Sequence, residues 1–275
     1  MRKLTIVAAL AAASILSLSA CSNDADTDAA QTAAAGTGID GTWKADLASV
    51  QIESEPEQFL LQDGKFSCTT CIPAYEVAAD GEFHPVDRPY SDGMSVKVDD
   101  DHNVTVTARK GETVVGTTHY AVSEDGKTLT IDFTDSSVPN ATPVTGNLTQ
   151  NRTADGPAGS HAVSGSWQMA QYNNVSDEGL TMTFKVDGDK VSLSTPSGIG
   201  YDATVGGPAV PITGDTAGTT AAITRTGDNT YVETDTRDGM EIAVITMTVG
   251  EDGKLHVVQE DKRDGSTMRY DANRS

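Results

Sequence analysis

Residues Val104-Thr105-Val106-Thr107-Ala108-Arg109-Lys110-Gly111 read VTVTARKG, and the period of that stretch is two. Val104, Val106 and Ala108 alternate with Thr105, Thr107 and Arg109, which puts the apolar set on one face of a strand and the polar set on the other. The same alternation runs through Leu129, Ile131 and Phe133, and through Met182, Phe184 and Val186. Asp-Gly pairs punctuate these runs at 63–64, 80–81, 125–126, 187–188, 238–239, 252–253 and 264–265. A tight hairpin turn needs positive φ at its central positions, and Asp-Gly supplies it cheaply. No helical period follows the first 20 residues. The expected fold class is all-β: two tandem antiparallel meander β-barrels or curled sheets, about seven or eight strands each.

The word "tandem" rests on an internal repeat. Gly41-Thr42-Trp43 returns as Gly165-Ser166-Trp167, Asp63-Gly64 as Asp187-Gly188, and Ser123-Glu124-Asp125-Gly126-Lys127 as Gly250-Glu251-Asp252-Gly253-Lys254. The landmarks keep their order, as a duplication with small loop changes would leave them. The expected division is a first copy over 39–153, a linker over 154–162 and a second copy over 163–275. Each copy is long enough for a core of its own.

The N-terminus reads as an address. Arg2 and Lys3 precede an apolar run from Leu4 to Leu18, and Leu18-Ser19-Ala20-Cys21 closes it. Charge, short apolar core and small residues form a secretory signal, and the placement of Cys21 resembles the lipobox of bacterial lipoproteins. That resemblance implies a signal peptide over 1–20, acylation (palmitate included) of Cys21 and a membrane partner reached through the lipid alone. Ser22 stands where an Asp would resemble an inner-membrane retention signal, so the implied address is the outer membrane, facing the periplasm. Residues 21–38 carry the lipidated Cys and a Ser-, Asp-, Ala- and Thr-rich tether that cannot bury a core. Losing Arg2 and Lys3 from 19 basic residues leaves 17 against 40 acidic ones, a formal charge of −23. So acidic a chain lacks the cationic surface that nucleic acid requires.

Gly-x-Trp opening the first strand of both copies resembles the lipocalin and calycin barrels. The resemblance implies that each Trp closes one end of its barrel while an Arg near the last strand packs across it. The residues at those places are Trp43 with Arg152, and Trp167 with Arg269. The order G-T-W, D-G-K-F-S-C-T-T-C, H-P-V, E-D-G-K-T-L-T and G-S-W also resembles an uncharacterised family of bacterial envelope lipoproteins, which implies architecture and address but no activity.

The chain holds three cysteines. With Cys21 lipidated, Cys68 and Cys71 form the one CxxC in an oxidising compartment. A structural disulfide closing a turn at Thr69-Thr70 is the leading reading, ahead of a redox pair and a metal clip. No helix N-terminus is in prospect to depress a thiol pKa. Zinc wants four ligands, whereas His84, His102 and His119 are scattered singles. The matching positions of the second copy hold Leu193 and Pro196.

GxSxG, HExxH and P-loop patterns do not occur. Gly36-Thr37-Gly38-Ile39-Asp40-Gly41 matches GxGxxG without the strand before it that a dinucleotide site needs. Asp99-Asp100-Asp101 reads as a solvated turn, Asp24, Asp26 and Asp28 as tether, His161 as linker, and His256 as outward-facing. The reading is a non-enzymatic envelope lipoprotein without catalytic residues, metal or cofactor. Its expected partner is a small apolar or amphipathic ligand inside lipocalin-like domains. The alternative is a structural or protein-interaction role with filled barrels, and a thiol-disulfide redox protein stands third.

Overall fold

The computed structural model describes residues 38–275. Cys21, the signal segment and the tether through residue 37 lie outside the described residues. Period-two patterning gives strands throughout: β1 Gly41–Ala45, β2 Gln51–Glu53, β3 Glu57–Gln62, β4 Lys65–Cys68, β5 Tyr75–Ala78, β6 Phe83–Arg88, β7 Ser91–Val98, β8 Asn103–Lys110, β9 Thr113–Val122, β10 Thr128–Asp135 and β11 Val144–Asp155. They continue as β12 Gly165–Val175, β13 Thr181–Asp187, β14 Lys190–Ser194, β15 Gly200–Thr204, β16 Val210–Pro211, β17 Thr220–Gly227, β18 Thr230–Arg237, β19 Met240–Val249, β20 Leu255–Asp261 and β21 Thr267–Arg274. The helices described are one turn each, at Leu47–Ser49 and Asp177–Leu180. The alternation decides which side is buried. Val104 and Val106 are fully buried, while Thr105 and Thr107 keep partial contact with solvent. At Asp63-Gly64 and Asp238-Gly239 both residues take positive φ, as the tightest hairpin turns demand.

The strands form two nearly closed antiparallel barrels. Barrel 1 runs in the order β5-β4-β3-β12-β11-β10-β9-β8-β7-β6. Barrel 2 runs β15-β14-β13-β1-β21-β20-β19-β18-β17-β16, with β2 added on β21. Membership cuts across the two sequence copies. Strand β1, which opens the first copy, lies between β13 and β21 of barrel 2, with Trp43 opposite Met182 and Arg274. Strand β12, which opens the second copy, lies between β3 and β11 of barrel 1, with Trp167 opposite Glu57 and Arg152. Barrel 1 is thus the continuous segment 57–175, inserted between β1 and β2 of barrel 2 and its remainder at 181–274.

The expected boundaries 39–153 and 163–275 mark copies of sequence, and the closed units are cut elsewhere. The physical reason is local. The segment expected as a linker over 154–162 turns β11 back on β12, and consecutive antiparallel strands pair by default. His161 pins that turn: its backbone N–H donates to Leu61 O at 2.9 Å, and Nδ1 accepts from Val163 N–H at 3.1 Å. Nε2 therefore carries the proton and donates to Asp100 O at 2.6 Å.

Each barrel has its own core, centred on Phe66, Val104, Val106 and Trp167 in barrel 1 and on Trp43, Phe184, Ile223 and Leu255 in barrel 2. The far end of β12, paired with β11 as far as Val175, gives Tyr172 and Val175 to the core of barrel 2.

Candidate ligand-binding cavities

Both barrels are plugged at one end by the same device. Trp167 Nε1 donates to Val163 O at 2.9 Å, and Trp43 Nε1 donates to Ile39 O at 2.8 Å. The Arg152 guanidinium lies 4.0 Å from the Trp167 ring centre, and that of Arg274 lies 4.2 Å from Trp43. Each guanidinium also donates to carbonyls of the chain leading into the Trp strand, Ser164 and Ala162 for Arg152, Asp40 and Gly38 for Arg274. A cation over an aromatic face, with its donors satisfied, seals a barrel floor without leaving a buried polar group open.

The pairs differ from those expected. Arg152 covers Trp167 and not Trp43, because β1 and β12 have exchanged barrels. Arg269 is no plug: it is 44% exposed and pairs with Glu53 on the surface at 2.7 Å. Arg274, five residues further along β21, does its expected work.

Cys68 and Cys71 are at disulfide distance, with Cα atoms 5.4 Å apart. The turn they close lies between β4 and β5. Cys71 and its neighbour Ile72 line a cavity of about 270 Å³ whose walls come mostly from barrel 1, with Ile199, Arg237, Asp261 and Arg263 of barrel 2 added. Its walls are mainly apolar, with Phe59, Met94, Ile131, Leu148, Trp167 and Met169 facing it. Phe59, Phe66 and Tyr120 form a ring cluster behind the wall, with centres 5.4–6.2 Å apart. Burial pushes the Tyr120 and Tyr172 hydroxyls well up, so both stay neutral. Arg88 reaches the rim, stacks 4.7 Å from the Tyr75 ring and donates to Pro73 O at 2.6 Å.

One polar group inside this cavity has nothing to bind. Gln150 is 4% exposed, and its Nε2 donates to Glu57 Oε2 at 2.7 Å. Its Oε1 is buried without a partner.

A second cavity, of about 120 Å³, lies inside barrel 2. Ile52, Ile199, Arg237, Asp261 and Arg263 line both cavities, so the two share a wall. Glu233, 4% exposed, and Asp235 point into the second cavity from β18. Tyr201 OH donates to Glu233 Oε2 at 2.7 Å. Burial pushes both carboxyls up, Asp235 further because the Glu233 charge adds to it. The sequence reading missed this pair, since acids alternating with Thr in TYVETDTR look like a solvated face. Parity was the available signal: Tyr231, Glu233 and Asp235 share one side of the strand.

The scattered histidines stay apart. His84 pairs with Asp80, His102 Nδ1 meets Val122 O, and His256 bridges Asp271 at 2.7 Å and Asp252 at 3.2 Å. Among the described residues, no three or more His, Cys, Asp or Glu are grouped to hold a metal ion. Neither a protein-family model, nor a curated protein, nor a solved structure matches this chain.

Proposed function

We propose that this protein is a lipid-anchored, non-enzymatic carrier of the bacterial envelope. Cys21 tethers it to the outer membrane facing the periplasm, and barrel 1 takes a small, mainly apolar ligand bearing one hydrogen-bond donor. The observation that carries this reading is the unpartnered Gln150 Oε1, 96% enclosed beside a mainly apolar cavity. A buried acceptor left open costs about 1–3 kcal/mol, and a ligand hydroxyl would relieve it. The cavity sits just below the usual range of ligand pockets, about 300–1,000 Å³, so the ligand is small. Glu57 beside Gln150 favours a donor over a carboxylate head group.

The test uses Trp167 as reporter, in a Trp43→Phe background so that one indole emits. Medium-chain alcohols should quench or shift that emission saturably, and the carboxylic acid of equal length should bind more weakly. Gln150→Leu should lower alcohol affinity about tenfold, the equivalent of 1.4 kcal/mol. Mass spectrometry of protein extracted without denaturant should find a co-purified amphiphile. No emission change with any amphiphile and no co-purified ligand would overturn the carrier reading and favour the protein-interaction role. The redox reading is checked separately by Cys68→Ser, which should leave ligand binding unchanged.

A further inference from the structure

Barrel 1 and barrel 2 can be aligned through two equivalent hairpins, β8–β9 and β18–β19. Val122 and Val249 end β9 and β19, and their N–H groups donate to His102 O and Asn229 O at 3.0 Å in both cases. Counting back, Tyr120 matches Met247 and Thr118 matches Ile245. Across the ladder, Thr118 faces Val106 while Ile245 faces Glu233. Two residues on, Gly116 faces Ala108 while Ala243 faces Asp235. The buried acids of barrel 2 thus occupy positions that are Val106 and Ala108 in barrel 1, and the barrel closes without them. Enclosing two carboxyls costs stability unless something compensates.

We propose that the cavity of barrel 2 is a second binding site, taking a small alkylammonium ligand whose cationic head is held by Glu233 and Asp235. The cavity has the matching shape of chemistry. One part of its wall, including Met182, Phe184, Leu193, Met247 and Val257, is apolar, and its acidic end offers Asp235 Oδ1, buried and without a partner. An apolar body with one positive head fits such a wall. A bare calcium ion does not, since it takes 6–8 oxygen ligands.

The charge tally leaves room for one more cation. Asp215, Glu233, Asp235 and Asp261 face the cavity with Arg237 and Arg263, and Tyr201 and Tyr270 are the titratable hydroxyls beside them. Arg263 Nε is committed to Asp261 Oδ1 at 2.9 Å. Asp215 accepts from the backbone N–H groups of Thr219 at 2.6 Å and Ala217 at 3.3 Å. Arg237 turns toward barrel 1: it donates to Thr219 Oγ1 at 2.8 Å and to Tyr90 OH, and lies 5.1 Å from the Tyr90 ring centre. Glu233 and Asp235 are left in mutual contact, an arrangement in which one proton is shared. An incoming ammonium supplies the charge that lets that proton leave. Binding therefore releases a proton and tightens as pH rises.

The site is distinct from the one in barrel 1, although Arg237, Asp261 and Arg263 line both, and the experiment keeps them apart. The full chain is titrated with n-propylammonium chloride by calorimetry, with propan-1-ol as the uncharged control, in two buffers of different ionisation enthalpy. Saturable binding to propylammonium is expected, with affinity climbing as pH rises through the raised carboxyl range and heats that differ between the buffers. Asp235→Asn should weaken it at least about tenfold, and Glu233→Val with Asp235→Ala should abolish it, while Trp167 still reports alcohols in barrel 1. If a variant fails to fold, the wild-type pH profile and the propanol control decide alone. Absence of saturable binding, equal binding of propan-1-ol, a flat pH profile or full affinity in folded Asp235→Asn would each overturn the proposal.

Discussion

The two barrels share a floor and differ in what they enclose. Each is sealed by a Trp whose indole N–H reaches a carbonyl four residues earlier and whose face carries an Arg. Above the floor they part. Barrel 1 has a disulfide turn, a ring cluster and a mainly apolar cavity with one open amide oxygen beside it. Barrel 2 has Leu193 in place of Cys68, a smaller cavity and a buried acid pair. The comparison separates what this barrel needs from what it tolerates: the plug is common and structural, whereas the interior is free to specialise.

The largest effect that would break this comparison is loss of a plug ring. Trp167→Ala and Trp43→Ala should each cost about 3–5 kcal/mol, the range for emptying a large aromatic site. Denaturant unfolding followed by the remaining Trp should show comparable losses. A loss in one barrel alone would mean that the plugs are not equivalent.

Next comes the acid pair. Burial pushes the pKa values of both carboxyls above those of the unfolded chain. The fold then binds extra protons, and stability falls as pH rises from the ordinary carboxylate range through the raised folded values. Glu233→Val with Asp235→Ala should remove that slope and stabilise the protein at alkaline pH by about 1–4 kcal/mol. Unfolding midpoints measured against pH would show it, and an unchanged slope would place the titration elsewhere.

The exchange of strands is sharpened by the arginines. Arg152→Ala strands the carbonyls of Gly126, Ala162 and Ser164, Arg274→Ala those of Gly38 and Asp40; each bares an indole and should cost about 1–3 kcal/mol. Arg269→Ala removes only an exposed ion pair and should cost less than about 1 kcal/mol. A large loss at Arg269 would restore the pairing implied by the repeat. The Cys68–Cys71 bridge closes so short a loop that its removal should cost about 2 kcal/mol, with no counterpart in barrel 2.

The smallest effect is at His256. Its hydrogen bond to Asp271, helped by Asp252, holds the imidazole above its ordinary value of 6.5. Its contribution is therefore complete below that value and fades as pH climbs through the raised one. A proton NMR titration should find the folded value above 6.5, and His256→Asn should flatten only that part of the stability profile.

Much of the architecture was written in single residues. Val104, Val106 and Ala108 against Thr105 and Thr107 demand a one-faced strand whatever surrounds them, because the pleat has period two. Asp63-Gly64 and Asp238-Gly239 demand hairpins, because few other pairs take positive φ twice. The spacing of Cys68 and Cys71 demanded a turn if the two were to bond.

Pairing was not written there. A repeat shows that β1 and β12 are equivalent strands, and equivalent strands fit either barrel, so sequence alone could not say that each serves its neighbour. That was decided by the short turn at 156–164, which folds β12 back on β11 and leaves β1 to fill the gap between β13 and β21. The same limit hid the acids. Glu233 and Asp235 look solvated in a linear reading, and only the curling of the sheet puts their face inside, where burial raises both carboxyl pKa values and leaves Asp235 Oδ1 without a partner.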